Sequence, residues 1–342
     1  MSDMSDISDQ ILNAFAHLDR LSDGRGLFEH AKRDVRREEH GYCTDDNARL
    51  LVVTTRERGV RRCGALGQLA LRFVLAAQDA DGRCRNRMDR YGCWTDEAGT
   101  DDCWGRSVWA LGAAAAAYPE RSMRSDALGG FDIGVRQRSR WPRAMAFAAL
   151  GAADVVAQDG SNVPARLLLE DALELIGFGH VGEWCWPEGR LRYANAALAE
   201  AVIAAGAVLD DDEALDRGLA MLGWLLDRET SGDHLSVTGV DGRGPLDCSP
   251  QFDQQAIEVA AIADACWRAY HVTGDAGWTD GIVAAARWFE GVNDIGAVMY
   301  DARSGGGYDG LQRHGVNLNQ GAESTLAVVS TMQRARLLVG AA

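Results

Sequence analysis

The sequence predicts an all-α fold, an (α/α)6 toroid or barrel of about twelve helices with its long loops on one face. Three observations predict it. Apolar residues recur at helical spacing in segment after segment, with almost no convincing strand. The connections alternate between short and long. The helices that follow long loops are rich in Ala and Gly, whereas those between them are apolar on one side only.

The first helix is expected over Ile7–Leu21, with its stripe at Ile7, Ile11, Leu12, Phe15, Leu18 and Leu21. The second runs from Asp45 to about Arg58, the third from Cys63 to Gln78, and the Ala-rich fourth from Asp101 to Tyr118. A fifth segment, Glu120 to Gln137, is interrupted by Leu128-Gly129-Gly130-Phe131. Arg140 to Gln158 opens with Pro142 in its first turn, where proline is tolerated. Val163–Ile176, Tyr193–Leu209, Asp212–Arg228, Phe252–Val272, Gly277–Phe289 and Gly321–Leu338 complete the set. Long loops precede Thr44, Thr100, Arg192, Gln251 and Gln320, and their Gly-rich turns suit short β-hairpins. Small residues in Ala110–Ala117, Ala144–Ala153, Ala194–Ala207 and Ala260–Ala265 permit close packing in an inner ring. Six hairpins of roughly 50–60 residues match a helical-repeat period. No linker divides the chain, so residues 1–342 are expected to form one catalytic domain.

A formal net charge of −15 argues against nucleic acid or an anionic membrane as partner. No apolar run reaches a membrane span; Val108–Ala117 is about half the needed length. The acidic N-terminus lacks the basic and apolar parts of a signal peptide, so a cytoplasmic protein with reduced thiols is expected.

Two stretches carry the chemistry: His40-Gly41-Tyr42-Cys43-Thr44-Asp45-Asp46-Asn47-Ala48-Arg49 and Thr100-Asp101-Asp102-Cys103-Trp104-Gly105-Arg106. Each opens a helix, and each places a carboxylate four residues before an arginine, Asp45 with Arg49 and Asp102 with Arg106, on one helix face. Alone, Thr44 and the Asp pairs read as helix caps with dipole-favoured charge. Together they read as one pocket fed by several helix N-termini. Two carboxylates in one cleft can divide into a protonated acid and an ionised base, the requirement for glycosidic bond hydrolysis. Asp253 and Glu323 stand at the fifth and sixth inner openings and extend the set of candidate acids.

Ten of the aromatic residues are Trp, more than Tyr or Phe. Trp94, Trp104, Trp141, Trp184 and Trp186 lie in or beside the long loops, where indole faces can stack on sugar rings. His40, Tyr42, Tyr193, Asn195, Gln254, His314 and Asn319 supply polar groups for hydroxyls, a mix suited to a neutral polyhydroxylated ligand. Arg49, Arg106, Arg140 and Arg143 can bind carboxylate or phosphate or pair with the acids. Glu188 is a further acid candidate in a Pro/Gly context that also suits an ordinary turn. The expected ligand is therefore an oligosaccharide or sugar. Cys43, Cys93, Cys103, Cys185 and Cys248, with His30, His40, His180, His234 and His314, offer zinc donors, but no pair has a metal-ligand spacing, and neither metal nor cofactor is expected. Ser304-Gly305-Gly306-Gly307 lacks the lysine of a phosphate loop.

Through Thr44-Asp45-Asp46-Asn47, Thr100-Asp101-Asp102-Cys103-Trp104, Asp253-Gln254-Gln255 and Ala322-Glu323-Ser324, the chain resembles the six-hairpin (α/α)6-toroid carbohydrate-active enzymes over nearly its whole length. The resemblance implies acids at the inner-helix openings and hydrolysis, often with inversion, by a glycoside hydrolase. It also admits other chemistries of the same toroid. Sugar epimerases and isomerases use histidine proton shuttles, and here only His40 and His314 come near an inner opening. Lanthionine-cyclase-like proteins hold zinc, and Asp102-Cys103-Trp104-Gly105 is faintly similar to one of their motifs, but the Cys-His-Gly partner is missing. A non-catalytic sugar-binding toroid is the remaining alternative.

Overall fold

A computed structural model describes residues 4–57, 59–177 and 184–340. Twelve α-helices occur among them: α1 (Met4–Arg20), α2 (Thr44–Thr55), α3 (Arg61–Ala77), α4 (Asp102–Ala117), α5 (Arg121–Gly134), α6 (Pro142–Gln158), α7 (Val163–Ile176), α8 (Ala196–Leu209), α9 (Asp212–Glu229), α10 (Ala256–Thr273), α11 (Thr279–Phe289) and α12 (Ala322–Val339). Arg58, at the expected end of the second helix, and His180 and Glu183 of the third long loop lie outside the described residues.

The even-numbered helices form the inner ring. Each packs on the next in the order α2, α4, α6, α8, α10, α12, and α12 returns to α2. The outer layer sits on it pairwise: α3 on α2, α5 on α4, α7 on α6, α9 on α8, α11 on α10 and α1 on α12. Composition explains the division. Thirteen of the seventeen residues of α6 are buried, against five of the fourteen in α7, because an inner helix touches neighbours on both sides and an outer helix on one face. Small residues set the inner spacing. At the α4–α6 crossing, a Cβ on Gly112 or on Gly151 would overlap the facing backbone.

The fifth helix departs from expectation. Gly129-Gly130 does not break it, and α5 runs unbroken from Arg121 to Gly134. Gly130 lies against Leu75 and Leu111, so close that a Cβ would stand 2.5 Å from Leu75 Cδ2. Contact with α3 and α4 outweighs the low helix propensity of the glycine pair.

Among the described residues, three two-stranded hairpins occupy the long loops, as expected, β1–β2 (Ala31–Lys32 with Val35–Arg36), β5–β6 (Thr230–Ser231 with His234–Leu235) and β7–β8 (Gly310–Gln312 with Gly315–Asn317), and a fourth antiparallel pair, β3–β4 (Tyr42–Cys43 with Arg87–Met88), is not a hairpin. The β3–β4 pair ties two different loops together and hangs Asn86 over the start of α2. Three inner helices start later than their apolar pattern suggests, at Pro142, Ala196 and Ala256, which leaves Trp141, Tyr193 and Gln254 on loops.

Candidate active site

The N-terminal ends of the inner helices surround a cavity of about 420 Å³ that Asp45, Asp46, Asp102 and Glu323 line together. The caps that hold these ends differ from those the sequence suggests. Thr44 lies inside α2, and neither it nor Asp45 caps the helix; Asn86 Oδ1 accepts the N–H groups of Thr44 (3.1 Å) and Asp45 (3.4 Å) from across the β3–β4 pair. Asp101 does not cap α4 with its side chain either, and accepts Trp141 Nε1 at 2.9 Å instead. The aspartates are thus released from capping.

The arginine pairing also differs. The i,i+4 side-chain pairs are not formed. Arg49 binds Asp46 Oδ1 at 2.8 Å, one residue closer in sequence, and reaches across to Glu323 Oε2 on α12 at 2.7 Å. Arg106 of α4 turns to Asp45 of α2, Nε to Oδ1 3.4 Å, while its guanidinium lies 4.0 Å over the Phe147 ring. Asn86 Nδ2 donates to the other oxygen of Asp45 at 2.9 Å. Apart from the Arg49–Asp46 pair within α2, each bond joins different segments, so sequence spacing along one helix face does not reveal it.

These surroundings push the carboxyl groups apart. Asp46 is 2% exposed, and burial raises it to about 7 even against the Arg49 charge. Asp102 is also raised by burial, which exceeds the opposing pull of Arg106 and the Tyr193 hydroxyl. Glu323 goes the other way. Its side chain keeps 41% of its surface open, and the desolvation it feels is outweighed by the charge and hydrogen bond of Arg49, so it sits below the ordinary Glu value.

The cavity wall includes groups that the sequence reading did not single out as site residues. Glu29 and Arg87 pair with each other from separate loops. Asp309, raised by burial, accepts Gly321 N–H at 2.8 Å and the Ser324 hydroxyl at the mouth of α12. His30, Gln255 and Asn317 complete the wall. Their signal was weak: all but Gln255 lie inside long loops, His30 stood out only as a possible zinc donor, and Gln255 only beside Asp253. Among the described residues, Glu29, Cys43 and Asp46 form the one group of three donors near enough to share a metal ion, within 4.8 Å of one another. They fit a cation poorly. Glu29 and Asp46 are held by Arg87 and Arg49, and burial pushes the Cys43 thiol well above its ordinary value. The other candidate thiols and imidazoles do not join them.

A second groove, of about 640 Å³, opens beside the first and shares Asp102 and Tyr193 with it. Asp101, Trp141 and Glu188 line it. Tyr193 owes its place to a left-handed Ala194 (φ 45°), whose N–H donates to the buried Glu258. Glu258 also accepts Asn195 N (3.2 Å) and Nδ2 (3.0 Å), and burial raises it to about 7. Asn195 is therefore a buried strut, not a wall residue. Its Oδ1 accepts Arg143 Nη2, and Arg143 in turn holds Glu188 at 2.6 Å.

Several expected sugar contacts lie elsewhere. Trp104 is fully buried, with Nε1 donating to Gly134 O. Tyr42 is buried against Phe28 and bonds Asp23, and Trp94 packs edge-on to Phe73. Trp184 and Trp186 are 7% and 1% exposed and pack on Trp224. Gln254 is fully buried, bonded to Asp294 and Trp288. These aromatic and amide side chains serve packing because the loops fold inward over the outer helices. Asp253 precedes α10 and accepts Gln312 Nε2 at 3.3 Å, outside the cavity wall. His40 meets His30 edge-on behind the wall, His314 is exposed at the β7–β8 turn, and Asn319 accepts the Arg33 N–H.

No family model and no curated protein matches the sequence. Solved structures do match its fold. A sugar epimerase from a ruminal bacterium is 13% identical with a TM-score of 0.72, covering 97% of this chain and 98% of its own. Cellobiose 2-epimerase from Spirochaeta thermophila is 14% identical, TM-score 0.69, covering 98% and 97%. An α-1,6-mannanase of Salegentibacter sp., in complex with α-1,6-mannotriose, is 12% identical, TM-score 0.63, covering 98% and 100%; that variant is inactive, with asparagine in place of two consecutive aspartates. The chain thus has the (α/α)6-toroid fold that carbohydrate-processing hydrolases and epimerases share. No helix among the described residues is long and apolar enough to cross a membrane.

Proposed function

We propose that the protein is a glycoside hydrolase acting on an oligosaccharide, with Asp102 as general acid and Glu323 as general base. The observation that carries this reading is the opposed environment of two carboxyl groups on one cavity: Asp102 raised by burial, Glu323 lowered by Arg49. Asp102 donates its proton to the glycosidic oxygen as the C–O bond breaks. Glu323 takes a proton from the water that attacks the anomeric carbon from the opposite face, giving an inverted hemiacetal and a free alcohol. The helices that bear the two residues, α4 and α12, flank α2 on either side. Arg49, itself paired with Asp46, holds Glu323 in place, and the Tyr193 hydroxyl bonds Asp102. The adjacent aspartates altered in the inactive mannanase support a role for the paired acids here, and α-1,6-mannotriose, the ligand of that fold neighbour, defines the first substrate to try. Asp102→Asn and Glu323→Gln are each expected to lower turnover of a cleaved substrate by orders of magnitude while leaving the circular dichroism spectrum intact. Wild-type rates in both variants would rule out these roles.

A second reading is epimerisation or isomerisation of a sugar, favoured by His30 in the same wall. NMR of a sugar panel separates the two, since new reducing ends mean hydrolysis and a changed sugar without cleavage means isomerisation.

A further inference from the structure

We propose that the outer groove is the subsite for the leaving part of the substrate, and that it selects a sugar carrying an anionic group, a carboxylate or a phosphate. This rests on the hydrolase reading for the word leaving, and on the geometry below for the rest. The groove meets the inner cavity at Asp102 and Tyr193, so a chain threaded past the general acid places one ring in each compartment. Its wall presents Trp141, a large aromatic left 48% exposed, whose indole is fixed by the bond from Nε1 to Asp101 and not left to swing. A fixed, open indole is a platform for the apolar face of a sugar ring.

Three arginines and three acids line the groove, so it is the arginines left without a carboxylate partner, and not the net charge, that narrow the ligand further. Arg143 is spent on Glu188 and Asn195. Arg140 and Arg192 are exposed on the same wall and pair with no carboxylate among the described residues, although the chain as a whole carries −15. Arg140 lies 4.6 Å over the Trp141 ring, which sets a guanidinium directly beside the platform. In so acidic a protein, two unpaired guanidinium groups at an aromatic platform match an anionic substituent, which arginine can bind through two parallel N–H bonds.

Binding, and not turnover, tests this. Thio-linked disaccharides, which resist hydrolysis, are titrated into the protein by calorimetry as a neutral hexose pair, a pair with a uronic acid at the reducing end, and a pair with a 6-phosphohexose there. At least tenfold tighter binding of one acidic ligand over the neutral one is expected, the better of the two identifying the anion. In a folded Arg140→Gln/Arg192→Gln variant the ratio is expected to fall to near one, and Trp141→Ala is expected to weaken all three. A ratio near one in the wild-type protein, or a ratio retained in the double variant, would overturn the proposal. If the ratio behaves as expected while no oxygen-linked counterpart is cleaved, the hydrolase reading fails and the subsite stands.

Discussion

The two ends of the inner ring are built from the same six helices and handle charge differently. At the far end, three arginines meet three acids. Asp264 is held by Arg56 (3.1 Å), Arg334 (2.6 Å) and Ser330, while Arg268 binds Asp154 (3.2 Å) and Glu200 (3.5 Å). At the mouth, six acids line the cavity with three arginines. Between them lies an apolar constriction of about 50 Å³ walled in part by Trp109, Phe147, Leu150 and Leu326. Removing one member of a matched set of buried charges is costly, whereas a surplus of carboxylates in one cavity calls for another explanation. The surplus marks the end where chemistry is proposed.

The largest effect expected from breaking this contrast is on rate. Asp102→Asn should lower kcat by about 10²- to 10⁴-fold with Tm within a few degrees of wild type, measured on one cleaved oligosaccharide and by thermal melting. Asp264→Ala at the far end should do the reverse. It strands Arg56 and Arg334 without their shared partner and should cost about 3–5 kcal/mol of stability, with kcat of the folded fraction retained, as denaturant titration and active-site-normalised rates would show. Midway in size, Gly151→Ala should force α4 and α6 apart and cost about 1–3 kcal/mol by chemical denaturation, since its Cβ would overlap the α4 backbone.

The smallest effect concerns pH. Burial raises Asp46 and Glu258 to about 7 and Glu229 to about 8. A raised carboxyl holds its proton in the folded state after the unfolded chain has lost it. The stability it contributes is complete below about pH 4 and is lost as pH rises through 7 to 8. Asp264, lowered to about 2 chiefly by Arg56 and Arg334 against its own burial, acts in the opposite sense and loses its contribution only in strong acid. Tm should therefore peak in weak acid and fall toward pH 8. Glu229 is buried beside Thr238 and is not one of the residues of the mouth wall. Glu229→Gln should flatten that fall by roughly 1–2 kcal/mol at pH 8, measured as the difference in stability between pH 5 and pH 8.

Much of the site was legible because helix starts are locally encoded. Asp45, Asp46, Asp102 and Glu323 were visible as acids opening apolar helices, and all four line one cavity. Glu29 and Asp309 were not, because a carboxylate inside a loop carries no periodic signal. The tryptophans misled for a related reason. Position in a long loop says nothing about which way the loop folds, and Trp184 and Trp186 turn into the core while Trp141 stays open; Trp104, in the first turn of α4, is buried as well. Gly130 shows the same limit within a helix: its propensity argues for a break, and its neighbours Leu75 and Leu111 keep the helix whole.

The sequence by itself determined the alternation of inner and outer helices, since a 3.6-residue period and the density of small side chains are written along each segment. It also determined that acids stand at the inner openings. Only the tertiary structure decided what those acids are. Asp45 answers to Arg106 and Asn86, and Glu323 to Arg49, each partner arriving from another helix or loop. A carboxyl group's proton affinity depends on burial and on charges within a few ångströms. In a ring closed by its first and last inner helices, those neighbours are set by the fold and not by distance along the chain.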